Sequence, residues 1–260
     1  MQKTLFFGLE IASTWPEIKA QGRILAEKNR HMTFLYLGKV EDESPLLNPP
    51  KPSFLFSPFG KFDKVLFLPH KFPHTVSWHA SWLEGENELT YYRNALIEWV
   101  KDLGFKADTR PFLPHVTIAR NPKHFREWKE NFSELPFYCS ALHLYESLGS
   151  SEYRSHLSHS FQPPFQEIEH TADVAYKVYG SSIPNLLLHA EEALFYQFPE
   201  LMAFYVPPKE EKTLDDVVIV LNEVVTKADS EIGAPCKAVS FHGKIEKENN
   251  LLVWEMIIDV

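Results

Sequence analysis

The chain has 260 residues, 44% of them hydrophobic and 23% charged, with a formal net charge of −9; that is long for one domain, comfortable for two and ordinary for a globular protein. Two cysteines, Cys139 and Cys236, in no ligand spacing exclude a disulfide scaffold and a cysteine-type zinc site, and suit a reducing cytoplasm. Residues 1–162 hold 19 Lys+Arg against 18 Asp+Glu and residues 163–260 only 7 against 17, so the acidic C-terminal part is excluded as a nucleic-acid surface and the near-neutral N-terminal part is not.

In chain order, residues 4–11 (TLFFGLEI) read as a first strand rather than a signal peptide, because Glu10 interrupts the apolar stretch and no small-residue cleavage pattern follows. No later run approaches the ~20 apolar residues needed to span a membrane. Residues 16–29 carry a helix pattern with Pro16 in the first turn. Residues 31–37 are strand-like. Residues 53–59 and 64–68 predict two strands joined at Gly60, and 74–82 a strand or a loop. A helix is expected over 88–103, where Leu89, Tyr92, Leu96, Trp99 and Leu103 recur at helical spacing and Gly104 ends the run. Strands follow at 114–119 and 136–147.

Pro163-Pro164 marks a domain boundary, since consecutive prolines continue neither a helix nor a central strand. Beyond it, 165–168 and 173–179 read as strands. Ser182 precedes a helix with Ile183, Leu187, Ala190, Leu194 and Phe198 on one face. Pro207-Pro208 breaks the chain. Thr213 then caps an amphipathic helix, with Asp216 three residues on resembling a capping box. Residues 236–243 and 251–259 are closing strands.

The most informative feature is a pair of His-x-Thr triplets, His31-Met32-Thr33 in RHMTFLYLG and His115-Val116-Thr117 in RPFLPHVTIAR. With a period of two, His and Thr of each triplet share one face of a strand. Two such strands side by side bring two imidazoles and two hydroxyls into one cleft. In-line cleavage of a phosphodiester needs one group to take a proton from the attacking oxygen and another to give one to the leaving oxygen. An imidazole of pKa about 6.5 can do either, and Thr33 and Thr117 can hold the non-bridging oxygens. The other N-terminal histidines, at 70, 74, 79, 124, 143, 156 and 159, read as surface or packing residues, with His74 and His79 the nearest to lining a cleft.

Over about residues 3–156 the chain resembles the RNA 2′,3′-cyclic phosphodiesterases, the LigT-like two-histidine phosphoesterases once called 2′-5′ RNA ligases. The segments that carry the resemblance are LFFGLEI, RHMTFLYLGKV, FGKFDKVLFL, GFKADTRPFLPHVTIAR and LYESLGSSEYRSH, with HMTF and HVTI fitting the paired HxTx signature. The resemblance implies an α+β fold of two lobes, with antiparallel sheets lining a central cleft over residues 1–162. It implies hydrolysis of RNA 2′,3′-cyclic phosphate ends, tRNA fragments among them, to 2′-phosphomonoesters, with ligation as the reverse activity and no cofactor for catalysis. His31 would be the general acid, His115 the general base, and Thr33, Thr117 and Arg120 the phosphate ligands.

Residues 163–260 carry a second resemblance. IEHTADVAYKVYG, the helix after it and KAVSFHGKIEKENNLLVWEMIIDV look like archease, the small cofactor protein of the GTP-dependent tRNA-splicing RNA ligase. This implies a shortened α/β domain with the ligase as partner. It also implies a Ca²⁺ or Mg²⁺ site built from Asp173, Asp259 and the terminal Val260, oxygen ligands of the kind such ions take. An alternative function follows, in which the C-terminal domain is the active accessory module and the N-terminal domain only binds RNA ends. A cytoplasmic protein with no membrane partner is expected on either reading.

Overall fold

Strand β1 (Lys3–Ser13) buries Leu5, Phe7, Leu9 and Ile11 at every second position, the alternation of a strand with one face on a core. The structure, a computed structural model, describes residues 2–171, 173–209, 211–240 and 243–260, and it divides into two compact units, 1–162 and 163–260.

In the first unit β1 is followed by β2 (Arg23–Ile24), β3 (His31–Val40), β4 (Phe59–Leu68), β5 (Thr75–Glu84), helix α1 (Glu86–Asp102), β6 (His115–Arg120), the short α2 (Phe125–Glu130), β7 (Leu135–Gly149) and β8 (Glu152–Ser160). Among the described residues these strands form one antiparallel sheet in the order β1-β3-β6-β5-β4-β7-β8, closed by pairing of β1 with β7. The separate sheets expected for two lobes are therefore joined. The reason is the length of β7: its residues 137–146 pair with β1 along one edge, while the other edge gives 135–138 to β4 and 141–149 to β8. The ring has one thin seam. Strands β3 and β6 share a single registered pair, Met32 with Val116, and β2 takes over the same edge of β6 at Ala119 and Arg120. Met32, Phe34, Trp78, Val116 and Ile118 are buried in one hydrophobic cluster, to which α1 adds Leu89, Leu96 and Val100. That helix ends at Gly104, whose φ of +83° suits glycine after a last turn.

Two expectations need correction. The helix predicted over 16–29 is absent; that stretch holds β2 and a single 3-10 turn, Glu27–Asn29. Its backbone is committed to neighbours: Leu25 N–H donates to the Ile118 carbonyl (2.8 Å), and the Gln21 carbonyl accepts from Lys123 N–H (2.9 Å) and Trp128 Nε1–H (3.2 Å). Tertiary bonds of this kind outweigh helix propensity. Of the predicted strand 53–59 only Phe59 lies in a strand; it opens β4, which runs unbroken to Leu68, and Gly60 is a paired residue within it; a Cβ there would strike the Ser81 carbonyl, so glycine permits close strand approach, not a turn. The ambiguous 74–82 stretch is strand β5, and α2 and β8 were not anticipated at all.

The second unit places β9 (Phe165–Ile168), β10 (Val174–Gly180), α3 (Ile183–Gln197), α4 (Leu214–Ile232), β11 (Ala238–Val239), β12 (Glu246–Glu248) and β13 (Leu251–Asp259) around a sheet ordered β11-β13-β10-β9, with β12 also on β13. Ser182 caps α3, and Thr213 with Asp216 forms the reciprocal capping box of α4. Of the strand predicted over 236–243, Ala238 and Val239 pair with β13, and Phe241 and His242 lie outside the described residues. Among the described residues no helix is long and apolar enough to cross a membrane.

Candidate active site

The seam between β3 and β6 is where both His-x-Thr triplets lie. The antiparallel register through Met32 and Val116 sets His31 across from Thr117 and Thr33 across from His115. The two imidazoles are held alike. His31 Nδ1 lies 3.0 Å from the Asn29 carbonyl and His115 Nδ1 lies 2.7 Å from the Leu113 carbonyl, in each case two residues upstream. A carbonyl only accepts, so each Nδ1 carries the hydrogen and each Nε2 keeps its lone pair. Nε2 is therefore the atom of each ring that is free to exchange a proton.

Each threonine is followed by a bulge. Along β1, Phe7 pairs with Leu35 and Gly8 with Thr33, leaving Phe34 unpaired; along β5, Val76 pairs with Ala119 and Ser77 with Thr117, leaving Ile118 unpaired. The extra residue restores the face, so Tyr36 continues the His31–Thr33 line and Arg120 the His115–Thr117 line. Because the strands run antiparallel, Arg120 stands at the His31 end of the seam and Tyr36 at the His115 end.

Aromatic rings wall the His31 side: Phe6 at 4.9 Å, Tyr145 at 5.3 Å and Tyr153 edge-on at 4.5 Å between centroids. Their desolvation pushes the His31 imidazole down to about 4, with the Asn29 carbonyl opposing and the neighbouring His115, Arg120 and His143 adding to the fall. Burial also lowers His115, against the pull of the Leu113 carbonyl, and His79 lowers it further. His31 is the deeper of the two, part-buried where His115 is exposed at its hydrogen bond.

Beyond Thr33 opens a pocket of about 530 Å³ lined by Thr33, Tyr36, Arg93, Arg110, Phe112 and His115 among others. Arg93 builds it. Its Nε donates to the bulged Phe34 carbonyl (2.9 Å), its Nη2 donates to both the Asp108 and Arg110 carbonyls (3.2 and 3.1 Å), and its guanidinium lies 5.6 Å over the Phe112 ring. Tyr36 is left 45% exposed, a ring face available to a planar ligand.

Sequence similarity to characterised proteins is partial. No family model matches the chain. Over 95 residues it is 33% identical to the RNA 2′,3′-cyclic phosphodiesterase of Archaeoglobus fulgidus, covering 36% of this chain and 52% of that protein, so the chain spans about half the length of the curated relative it matches. Among solved structures, E. coli LigT in apo form aligns with 62% of this chain and 98% of its own at 19% identity and a TM-score of 0.42, and its complex with 3′-AMP aligns with 62% and 99% at 18% and 0.43. A Thermus thermophilus protein aligns with 63% of this chain and 99% of its own at 19% identity and 0.45.

The residues singled out from sequence thus fall into two groups. His31, Thr33, His115, Thr117 and Arg120 flank one seam. Arg120 donates from Nε to Ser151 Oγ (2.9 Å), and Thr117 Oγ1 lies 3.4 Å from Ser77 Oγ. Asp173, Asp259 and Val260 belong to the other unit. There Val174 pairs with Ile258, which sets Asp173 across from Asp259 although 86 residues separate them. The Asp259 carboxylate accepts from Ser240 Oγ at 3.1 and 3.2 Å, His170 lies 3.8 Å from Asp173, and Lys237 Nζ donates to the Val260 carbonyl at 2.5 Å. Ala172 of the HTAD motif lies outside the described residues. Among the described residues no three His, Cys, Asp or Glu side chains converge as a metal cluster.

Sequence reasoning gave His79 no catalytic role and named it, with His74, only as the nearest to lining a cleft. It pairs across strands with His115, and its Nδ1 lies 2.6 Å from Asp63 Oδ1. Tyr36 was missed. The signal existed for both: each is a polar or amphipathic residue in an apolar strand. Only the bulges and the β5–β6 register show that they flank the cleft.

Proposed function

We propose that this chain is a hydrolase that opens RNA 2′,3′-cyclic phosphodiester ends to 2′-phosphomonoesters. The observation that carries the reading is the seam that sets each catalytic imidazole across from the other triplet's threonine, with both Nε2 atoms unengaged by the backbone. The 95-residue similarity to an RNA 2′,3′-cyclic phosphodiesterase supports the substrate class.

Water attacks phosphorus in line with the 3′ oxygen. His115 Nε2 takes the proton of that water, the P–O3′ bond breaks, and His31 Nε2 gives its proton to the departing oxygen. Thr33, Thr117 and Arg120 hold the non-bridging oxygens, so charge is stabilised by groups already in place. The more deeply desolvated His31 is the stronger acid once protonated, and a phosphodiester anion beside it draws that proton in. The terminal base stacks on Tyr36, a contact worth about 1–3 kcal/mol.

Incubation with adenosine 2′,3′-cyclic phosphate tests the reading. The expected product is 2′-AMP; 3′-AMP, or no turnover, contradicts it.

The cross-strand placement of Asp173 and Asp259 favours a second reading for residues 163–260: an archease-like module holding Ca²⁺ and serving a GTP-dependent RNA ligase. The two carboxylates suit a hard cation, but the Lys237 ammonium already sits on Val260, so the terminal residue fits only if that bond opens. Millimolar calcium is expected to raise the melting temperature of the wild type and not of Asp173→Asn or Asp259→Asn. Equal shifts in all three would remove the site.

A further inference from the structure

The hairpin that joins β7 and β8 turns through Ser150 and Ser151, with Gly149 paired to Glu152. Both serines are left-handed, at φ +51° and +62°. A two-residue turn of this kind normally takes Asn-Gly or Gly-Gly, and a non-glycine residue there costs on the order of 1 kcal/mol. What serine offers that glycine does not is a hydroxyl, and the Ser151 hydroxyl is used.

Two arginines meet on it. Arg23 and Arg120 face each other as the registered pair of β2 and β6. Arg120 Nε donates to Ser151 Oγ at 2.9 Å, one Arg23 nitrogen donates to the same oxygen at 3.1 Å, and another reaches the Ser150 carbonyl at 3.3 Å. Among the described residues no carboxylate pairs with either guanidinium. Two adjacent cations satisfied only by neutral oxygens are poised for an anion, because bonds between ionised partners are roughly twice as strong as neutral ones. The segment after Arg120, NPKHFR, adds Lys123 and Arg126, of which Arg126 is paired with Glu130.

The position of this pair decides which anion. Arg120 lies three residues beyond Thr117 on the same cleft face, about 10 Å along the strand. It is near enough to the reacting centre for its charge to be felt at His31. Tyr36 and its pocket lie at the opposite end of the seam. A nucleotide with its base on Tyr36 and its cyclic phosphate at the seam directs the rest of its strand toward the arginines.

We propose that Arg23, Arg120 and Ser151 form a second phosphate subsite, which holds the phosphodiester on the 5′ side of the terminal ribose and so selects an RNA end over a free cyclic nucleotide. This rests on the phosphodiesterase reading above. An incoming phosphate oxygen displaces the Ser150 carbonyl from Arg23 and shares Arg120 with the reacting group.

The test compares adenosine 2′,3′-cyclic phosphate with the dinucleotide ApA ending in a 2′,3′-cyclic phosphate, as substrates of the wild type and of Arg23→Gln. The wild-type kcat/KM is expected to favour the dinucleotide about tenfold, the worth of one hydrogen bond to a charged group. Arg23→Gln is expected to bring that ratio to about one, and Arg23→Lys to keep part of it. The logarithm of the dinucleotide's kcat/KM should also fall more steeply with log salt in the wild type than in Arg23→Gln, by a slope of about 0.7. Turnover of both substrates with a ratio of one in the wild type, or a ratio that Arg23→Gln leaves in place, overturns the subsite alone. No turnover of either substrate overturns the phosphodiesterase reading with it.

Discussion

His31→Ala and His115→Ala are each expected to lower kcat on a 2′,3′-cyclic phosphate by about 10²–10⁴-fold, with KM changed far less. The expectation follows from the shared geometry: each ring lies on the same seam and is oriented by a carbonyl two residues upstream, which leaves Nε2 to exchange the proton. Neither ring has a nearby substitute on its own strand, because Met32 and Val116 point into the core. His79 sits beside His115 but its Nδ1 is committed to Asp63, so it is not expected to replace the lost base. The two substitutions act on one proton-transfer cycle, so the double variant is expected to be little worse than either single one. Steady-state kinetics of the four proteins check this. Full activity in either single variant would remove that histidine from the reaction.

The second large effect is on stability against pH. Burial holds the His31 imidazole at about 4, while the unfolded chain titrates near 6.5. Between those values the unfolded state binds the proton and the folded state does not. The contribution is therefore fully present above pH 6.5 and is lost as pH falls toward 4. From pH 7.5 to pH 4.5 the loss amounts to about 2 to 3 kcal/mol. His115, lowered by the same cause, acts in the same direction. In the second unit burial raises Glu191 to about 8 and Glu192 well above the usual range, and these act oppositely, favouring the folded state as pH falls. The quantity to measure is thus a difference. His31→Gln, followed by tryptophan fluorescence in denaturant, is expected to gain about 2 to 3 kcal/mol over the wild type on going from pH 7.5 to 4.5. Five of the six tryptophans lie in residues 1–162, so the signal reports that unit. A difference that does not change with pH would mean that His31 is solvated.

How much of this was legible in the sequence depends on how local each feature is. The alternation of Leu5, Phe7, Leu9 and Ile11, the helical recurrence of Leu89, Tyr92 and Leu96, and the Thr213–Asp216 capping box are local patterns, and the structure realises them. The segment 16–29 has a comparable helical pattern, but its carbonyls and amides are taken by Ile118, Lys123 and Trp128, partners about 90 to 110 residues away that no local period encodes. Gly60 carries the residue type of a turn and sits in a strand, because what it answers to is the Ser81 backbone on another strand.

The site divides along the same line. Period two places His31 with Thr33 and His115 with Thr117 on a face each, and the chemistry of those residues suits the phosphate proposed for the site. The bulges at Phe34 and Ile118 add one residue each, which is what brings Tyr36 and Arg120 onto the cleft face. A bulge is set by the pairing of two strands and leaves no mark in either strand alone. The pairing of His79 with Asp63 and His115, the meeting of Arg23 with Arg120, and the placement of Asp173 opposite Asp259 are likewise properties of registers.

The division of labour between the two imidazoles is tested most directly by a 2′,3′-cyclic phosphate in which sulfur replaces the 3′ oxygen. A thiolate leaves without a proton, so the acid becomes dispensable while the base does not. On this substrate His31→Ala is expected to recover to within about tenfold of the wild type, and His115→Ala to stay about 10²–10⁴-fold below it. Recovery of His115→Ala in place of His31→Ala, or of neither, would contradict the assignment of His31 as acid and His115 as base.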